Sequence, residues 1–422
     1  MSLVLILNGN IMQKLFFVLL LLLTGCASQQ NNIKLANQLQ QQSPEHILSI
    51  LQQTKPDASD VAQYYLNLGY LQLLSGEFLP AITSLSLAQK EMQSLSAISV
   101  SENVAAGTVN ETFRRYSGYP LDRVMVHNML ALSYLFKQDI DGARVEMLQA
   151  DVEMKKLAKG ESLSGQLAST HLLSAIIYEL LDEQSNAFIS YQFAENILLE
   201  RKLELPEGLK LGLLRMSYKM GNDQQYSHYS QNYPILAKKA AADKQVFMLY
   251  FNGVVSNKVQ RSIMVPSFNA KQLIRISIPA YPNKSYQQQR AQISDGLQQV
   301  SSALIENVDV IVREDLDKEY PSILLLTTTR AIAKYQVVQQ TQQKDELLGA
   351  LLNFATLLSE VADLRSWNML PATVQFSYLE TNSSKVVVST LNQVDSPVDL
   401  SLGNQHVILA TGLSDKVFHY QQ

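Results

Sequence analysis

The chain has 422 residues, 34 Lys and Arg against 38 Asp and Glu, and a single cysteine. At about 150 residues per domain this is material for two or three domains. A net charge of −4 lacks the clustered basic face that holds nucleic acid, and one thiol permits no internal disulfide, so packed apolar cores must carry stability.

Leu15 to Leu23 is an apolar run of nine residues behind Lys14, followed by Thr24-Gly25-Cys26 and then by Ala-Ser-Gln-Gln-Asn-Asn. Nine residues are too few to span a hydrocarbon core, which takes about 20 in a helix, and a short apolar run closing on small residues reads as an export signal. The Leu23-Thr24-Gly25-Cys26 tetrad resembles the lipobox of bacterial lipoproteins, a resemblance that implies acylation of Cys26, by palmitate among other chains, and removal of residues 1–25. Met1 to Asn10 carries no basic residue, so Met12 is the better start of such a signal. Ala27 rather than Asp after the cysteine, by resemblance to enterobacterial sorting, implies the outer membrane, facing the periplasm. Residues 26–43, rich in Gln and Asn, bury too little to fix themselves and are expected to be a polar tether.

Residues 44–240 show helical periodicity with small residues where two helices would have to approach. Tyr65, Leu68, Gly69, Gly76, Phe78, Ala81 and Ala88 resemble a tetratricopeptide repeat, and the frame returns at Leu130, Ala131, Tyr134, Asp139, Ala143 and Ala150, then at Ala175, Tyr178, Ala187, Tyr191 and Ala194. Ala81, Ala143 and Ala187 step by 62 and then 44 residues, so the repeats are irregular and carry insertions. A fourth copy runs through Leu214, Tyr218 and Gly221. An antiparallel bundle shares the period but not the turn spacing. Either way, an array of helical hairpins offers a face to a protein partner.

The longest insertion, Ser99 to Pro120, holds Phe113-Arg114-Arg115-Tyr116-Ser117-Gly118-Tyr119. Insertions between repeats fall on one face and often carry binding. Arginines between aromatics suit a carboxylate, a glycan or a partner loop; the alternative is that Phe113, Tyr116 and Tyr119 plug the gap between helices while Arg114 and Arg115 stay solvated.

From Lys244 onward, residues 244–422, the pattern alternates with period two and reads as an α+β domain with a mostly antiparallel sheet and inserted helices. Strands are expected at Val246–Phe251, Val259–Val265, Leu273–Ile278, Val374–Leu379, Lys385–Leu391, Val407–Ala410 and Val417–Tyr420. Asp295-Gly296 between alternating segments signals a hairpin. Val308, Ile311, Val312 and Leu316 mark a short helix ending before Pro321, which starts a second; Leu348, Leu351, Leu352, Ala355, Leu358 and Val361 mark a third. Glu314, Asp315 and Asp317 read as a solvated helix face.

No nucleophile elbow, zinc motif or phosphate-cradling glycine loop is present, and none of the six histidines has metal-ligand spacing, so the reading is of no enzyme, no cofactor and no metal. The stretch Asp363-Leu-Arg365-Ser-Trp367-Asn-Met-Leu-Pro371 holds the only tryptophan. It resembles a motif, Asp-x-Arg-x-Trp-x-x-Leu-Pro, of a poorly characterised family of tetratricopeptide-like lipoproteins in the Gram-negative envelope. Trp367 either buries a large surface at a helix–sheet joint with Asp363 and Arg365 paired, or the three form a ligand or partner site. The reading is a membrane-anchored periplasmic scaffold or assembly factor; its rival is a cell-wall-related enzyme or ligand receptor with its site in the α+β domain. Convergence of Arg114, Arg115 and Tyr116 with Asp363 to Trp367 in one concavity separates the two.

Overall fold

The computed structural model describes residues 29–105, 114–158, 165–238, 242–267, 272–283, 289–344, 361–390 and 395–422. The helical half begins earlier than the sequence suggests. Residues 29–38 form a helix (α1), with Leu35 and Ala36 buried together with Gln29 and Asn32. The expected tether is therefore corrected: a polar composition hides a narrow apolar stripe, and its amides are satisfied by partners, Asn32 Nδ2 donating to Gln63 Oε1 at 3.0 Å.

Beyond it run α2 (Pro44–Gln52), α3 (Val61–Ser75), α4 (Phe78–Ala105), α5 (Pro120–Phe136), α6 (Ile140–Leu157), α7 (Ala168–Leu180), α8 (Gln184–Glu200), α9 (Glu207–Lys219) and α10 (Asp223–Asn232). Each consecutive pair from α3 to α10 is a hairpin packed on the next. The turns repeat one geometry. Gly76, Gln138, Asp182 and Gly221 take φ of 82°, 68°, 56° and 64°, and the following N–H reaches five residues back, as from Glu77 to Gln72 (2.8 Å), Asp139 to Tyr134 (2.9 Å), Glu183 to Tyr178 (2.8 Å) and Asn222 to Ser217 (3.1 Å). This left-handed cap satisfies the last carbonyls of the first helix and aims the chain into the second. Ala81, Ala143 and Ala187 stand at equal distance after their turns and are fully buried, which lets the paired helices touch. The helical half is a tetratricopeptide-like array. The expected insertion from Ser99 is shortened at its start, because α4 continues to Ala105.

The second half contains a five-stranded sheet in the order β11-β10-β1-β7-β6, formed by β1 (Lys244–Asn252), β6 (Ala303–Asn307), β7 (Thr373–Thr381), β10 (Gln405–Thr411) and β11 (Ser414–Gln421). Its pairs are antiparallel except β1 with β10. A four-stranded sheet, β5-β4-β8-β9, uses β4 (Gln292–Ser294), β5 (Gln299–Ser301), β8 (Lys385–Ser389) and β9 (Ser396–Asp399). Its first turn is the expected hairpin, with Gly296 at φ 89°. The run Val246 to Phe251 is apolar throughout because β1 is buried on both sides. Phe247, Leu249 and Phe251 face the helical array, while Val246, Met248 and Tyr250 meet Ile293, Val386 and Val388 of the smaller sheet. The result is three layers: helices, large sheet, small sheet.

A ribbon of β2 (Val259–Ser267) and β3 (Gln272–Ala280) packs on α11 (Val308–Lys344) through Ile276, Ile278, Ile323, Leu324 and Ala331. The expected break at Pro321 does not occur; α11 runs through it for 37 residues. An interior proline removes one backbone hydrogen bond, and packing offsets the loss: the neighbouring Tyr320 hydroxyl donates to Pro279 O at 3.0 Å. The acidic run is corrected as well. Asp315 shares a face with Ile311 and is buried, and Glu314 pairs with Arg201 of the array. Leu348 to Leu358, expected as a third helix, lie outside the described residues.

Candidate functional site

In a hairpin array the first helices line the inner face, which such solenoids use for binding. Here that face is occupied by the chain's own large sheet. Every residue of α7 is buried. Tyr70 of α3 meets Phe251 and Trp367 with ring centroids 6.4 Å away in each case, Arg215 of α9 lies 4.8 Å over the Tyr378 ring, and Phe136 meets Phe418 at 5.9 Å. The N-termini of two first helices are capped by carboxylates of the other half. Leu121 N donates to Asp315 Oδ2 at 3.2 Å, and Ser169 N to Glu306 Oε2 at 3.2 Å. An acid at a helix N-terminus satisfies orphan N–H groups and complements the macrodipole. Burial pushes both carboxyls up, Glu306 to about 7 and Asp315 to about 6.

The sequence-singled residues gather at one end of this seam. Arg365 is buried and spans three segments: Nη1 donates to Arg114 O (2.6 Å), Ser59 O (3.0 Å) and Asp60 Oδ1 (3.2 Å), while Nε and Nη2 hold Asp363 Oδ1 (2.9 Å) and Oδ2 (2.6 Å). Burial opposes ionisation of Asp363, and the Arg365 charge outweighs it, holding that carboxyl below its usual range. Tyr116 is buried, its N–H on Ser59 O at 2.8 Å and its hydroxyl on the Asp122 carboxylate. Buried Lys258 lies 3.8 Å over the Tyr119 ring and donates to Arg365 O at 2.9 Å; burial pulls its ammonium down to about 8. Trp367 is buried, its ring edge-on to that of Tyr70 on α3. Cys26 lies outside the described residues.

These segments frame a cleft of about 670 Å³. One wall is the 114–119 loop with Arg114, Arg115 and Tyr119; the other is α11, with Ser322, Ile323, Leu325 and Leu326; Arg123, Asp363 and Arg365 also line it. Arg114, Arg115 and Tyr116 thus do converge with Asp363 and Arg365, whereas Trp367 stands behind them. Within the cleft Arg365 is spent on Asp363 and Asp60, and Arg115 is paired with Glu91. Arg114 is exposed, and Arg123 Nε donates to Ser117 O at 3.3 Å. The lining thus sets arginine donors beside the exposed Leu325 and the carboxylate of Glu319. Sequence reasoning missed Lys258, Asp60, Glu306 and Asp315. The signal for the last two was an acid within an apolar period, as in Leu304-Ile305-Glu306 and the Ile311/Asp315 pair.

The second helices present a different surface. Leu87 of α4, Val145, Leu148 and Val152 of α6, and Ile189 and Phe193 of α8 are each at least 40% exposed. Val145 and Ile189 stand seven residues after their turns, Leu87 and Phe193 eleven, so they share one helix face from hairpin to hairpin. Among the described residues, no helix is long and apolar enough to cross a membrane.

No protein-family model matches the sequence. No curated protein is similar enough to count as a relative. Among solved structures, the apo form of RapI is similar at 15% identity and TM-score 0.33, over 46% of this chain and 61% of that one. MamA from AMB-1 is similar at 14% identity and TM-score 0.33, over 52% and 94%, and a putative kinesin light chain of Podosopora anserina with nearly identical TPR-like repeats at 13% and 0.29, over 51% and 92%. The chain thus spans under two thirds of RapI, and the repeat assignment rests on the turn geometry above.

Proposed function

We propose that this chain is a lipid-anchored scaffold or assembly factor of the Gram-negative cell envelope, exported by residues 1–25, acylated at Cys26 and held at the outer membrane facing the periplasm. The observation that supports it is the use of the array. Its inner face is closed by the chain's own sheet, and its outer helices carry an aligned apolar row, Val145, Leu148, Ile189 and Phe193, that the fold does not need for its own core. Exposed apolar side chains repeated at one register suit protein–protein contact. A photo-crosslinking residue in place of Ile189 is expected to give a discrete adduct with one envelope protein in living cells, and Leu148→Asp to abolish it. Absence of an adduct from an anchored, folded protein would count against the scaffold. Cys26→Ser is expected to leave the precursor unprocessed, read as a higher mass without acyl chains.

The cleft favours a second reading, a receptor for an anionic ligand. Arg114, Arg115, Arg123 and Arg365 line it; an enzyme of the cell wall would draw its acid from Glu319, which lines the same cleft and whose carboxyl burial pushes up.

A further inference from the structure

The helix over residues 29–38 changes what an anchored Cys26 would do. Only three peptide links separate Cys26 from Gln29, a reach of at most about 10 Å. Gln29 is itself buried, and its Oε1 accepts from Leu364 N at 3.2 Å. Leu364 adjoins Arg365, whose guanidinium holds the Arg114 carbonyl at 2.6 Å. An acyl chain on Cys26 therefore pulls this end of the molecule, and no other, onto the bilayer. Among the described residues the cleft at this end is lined by Arg114, Arg115, Arg123 and Arg365 against Glu319 and Asp363, with Glu91 on Arg115 and Asp60 on Arg365 beside it. Leu325, 68% exposed, stands at the cleft mouth as an apolar contact.

We infer that the cleft between the 114–119 loop and α11 is a membrane-facing surface that takes anionic phospholipid from the leaflet holding the anchor. The arginines meet the headgroup and Leu325 meets the acyl boundary. This inference rests on acylation of Cys26. An acyl anchor plus basic side chains at the surface is the two-signal arrangement that makes membrane attachment stable, and each basic residue near an anionic leaflet strengthens it.

The test uses the acylated mature chain in vesicles of zwitterionic and anionic phospholipid at three to one. Its own cysteine is consumed by the lipid, so one fluorophore is placed through Ser117→Cys in the cleft loop, or through Gln224→Cys in α10 at the opposite end of the array. A lipid-confined quencher is expected to quench the first at least threefold more than the second. Arg114→Glu with Arg115→Glu, or omission of the anionic lipid, is expected to halve that contrast, with circular dichroism unchanged. Equal quenching of both positions in protein whose acylation is verified by mass would overturn the orientation. A contrast indifferent to both charge changes would overturn phospholipid recognition. A mature chain without acyl mass would instead remove the premise, and the anchored-scaffold reading with it.

Discussion

Glu306 and Arg365 show at the scale of single residues how the two halves are joined. Removing one partner from a buried, paired charge leaves the other unpaired in a poor solvent, at a cost of about 3–5 kcal/mol. Arg365→Ala, which takes the guanidinium away from Asp60 and Asp363, is expected to lose that much by denaturant unfolding, while Arg114→Ala with Arg115→Ala, at exposed side chains, leaves the midpoint within about 0.5 kcal/mol. Glu306 predicts a pH dependence of definite sign. Its pKa rises on folding, so the native state binds the proton more tightly than the unfolded chain. The stability it contributes is complete below the unfolded value near 4.5 and is lost as pH rises through about 7; Asp315 acts in the same sense up to about 6. The midpoint is therefore expected to fall between pH 5 and pH 8, and Glu306→Gln to flatten that slope by up to about 3 kcal/mol. An unchanged slope in Glu306→Gln would show that the carboxyl stays ionised throughout. Of these pairings only Asp363 with Arg365 was legible in the sequence; the other partners lie up to some 300 positions away, and the residue types alone look like a solvated surface.

The turns decide stability at the scale of elements. A side chain at positive φ crowds its own carbonyl at roughly 1 kcal/mol, which glycine avoids. Gln138→Gly is expected to stabilise the protein by about 0.5–1 kcal/mol, and Gly76→Ala, whose new Cβ would also meet the Phe418 ring at 3.1 Å, to destabilise it by at least as much. A Gln138→Gly variant of lower melting temperature would contradict the shared turn geometry. The hairpins were readable because their alanines keep a fixed offset from each turn even where the spacing between repeats does not. The apolar strands were readable by alternation. What local pattern misread was set by distant contact: α1 owes its order to Gln63 and Leu364, α11 passes Pro321 because β2 and β3 pack along it, and β9, with its proline, and β6, with its buried acid, gave no strand signal at all. The cleft was legible in part. Its arginines and aromatics stood out as types, but which of them face the opening and which are spent internally is decided by Arg365 and Lys258 from the other half.

The whole molecule inverts the usual relation between a repeat array and what it binds. The face that a solenoid keeps for its partner is filled by the five-stranded sheet of the same chain, with Tyr70, Phe136 and Arg215 on one side and Phe251, Phe418 and Tyr378 on the other in one continuous core. Neither half then has a complete surface alone. A chain ending at residue 240 would expose the inner side of α3, α5, α7 and α9 and lose the carboxylate caps of α5 and α7. It is expected to unfold without a sharp transition and to bind a dye for exposed apolar surface, whereas residues 26–422 melt in a single transition seen alike by far-ultraviolet and near-ultraviolet circular dichroism. The glycine contact at the seam tests the same coupling without truncation. A Cβ on Gly208, at the start of α9, would lie 2.3 Å from Tyr378 Cβ on β7, between two elements that cannot separate without opening the core. Gly208→Val should therefore lower the one shared transition. If it split that transition into two, the array and the sheet domain would be independent units, and a partner would have access to the inner face after all.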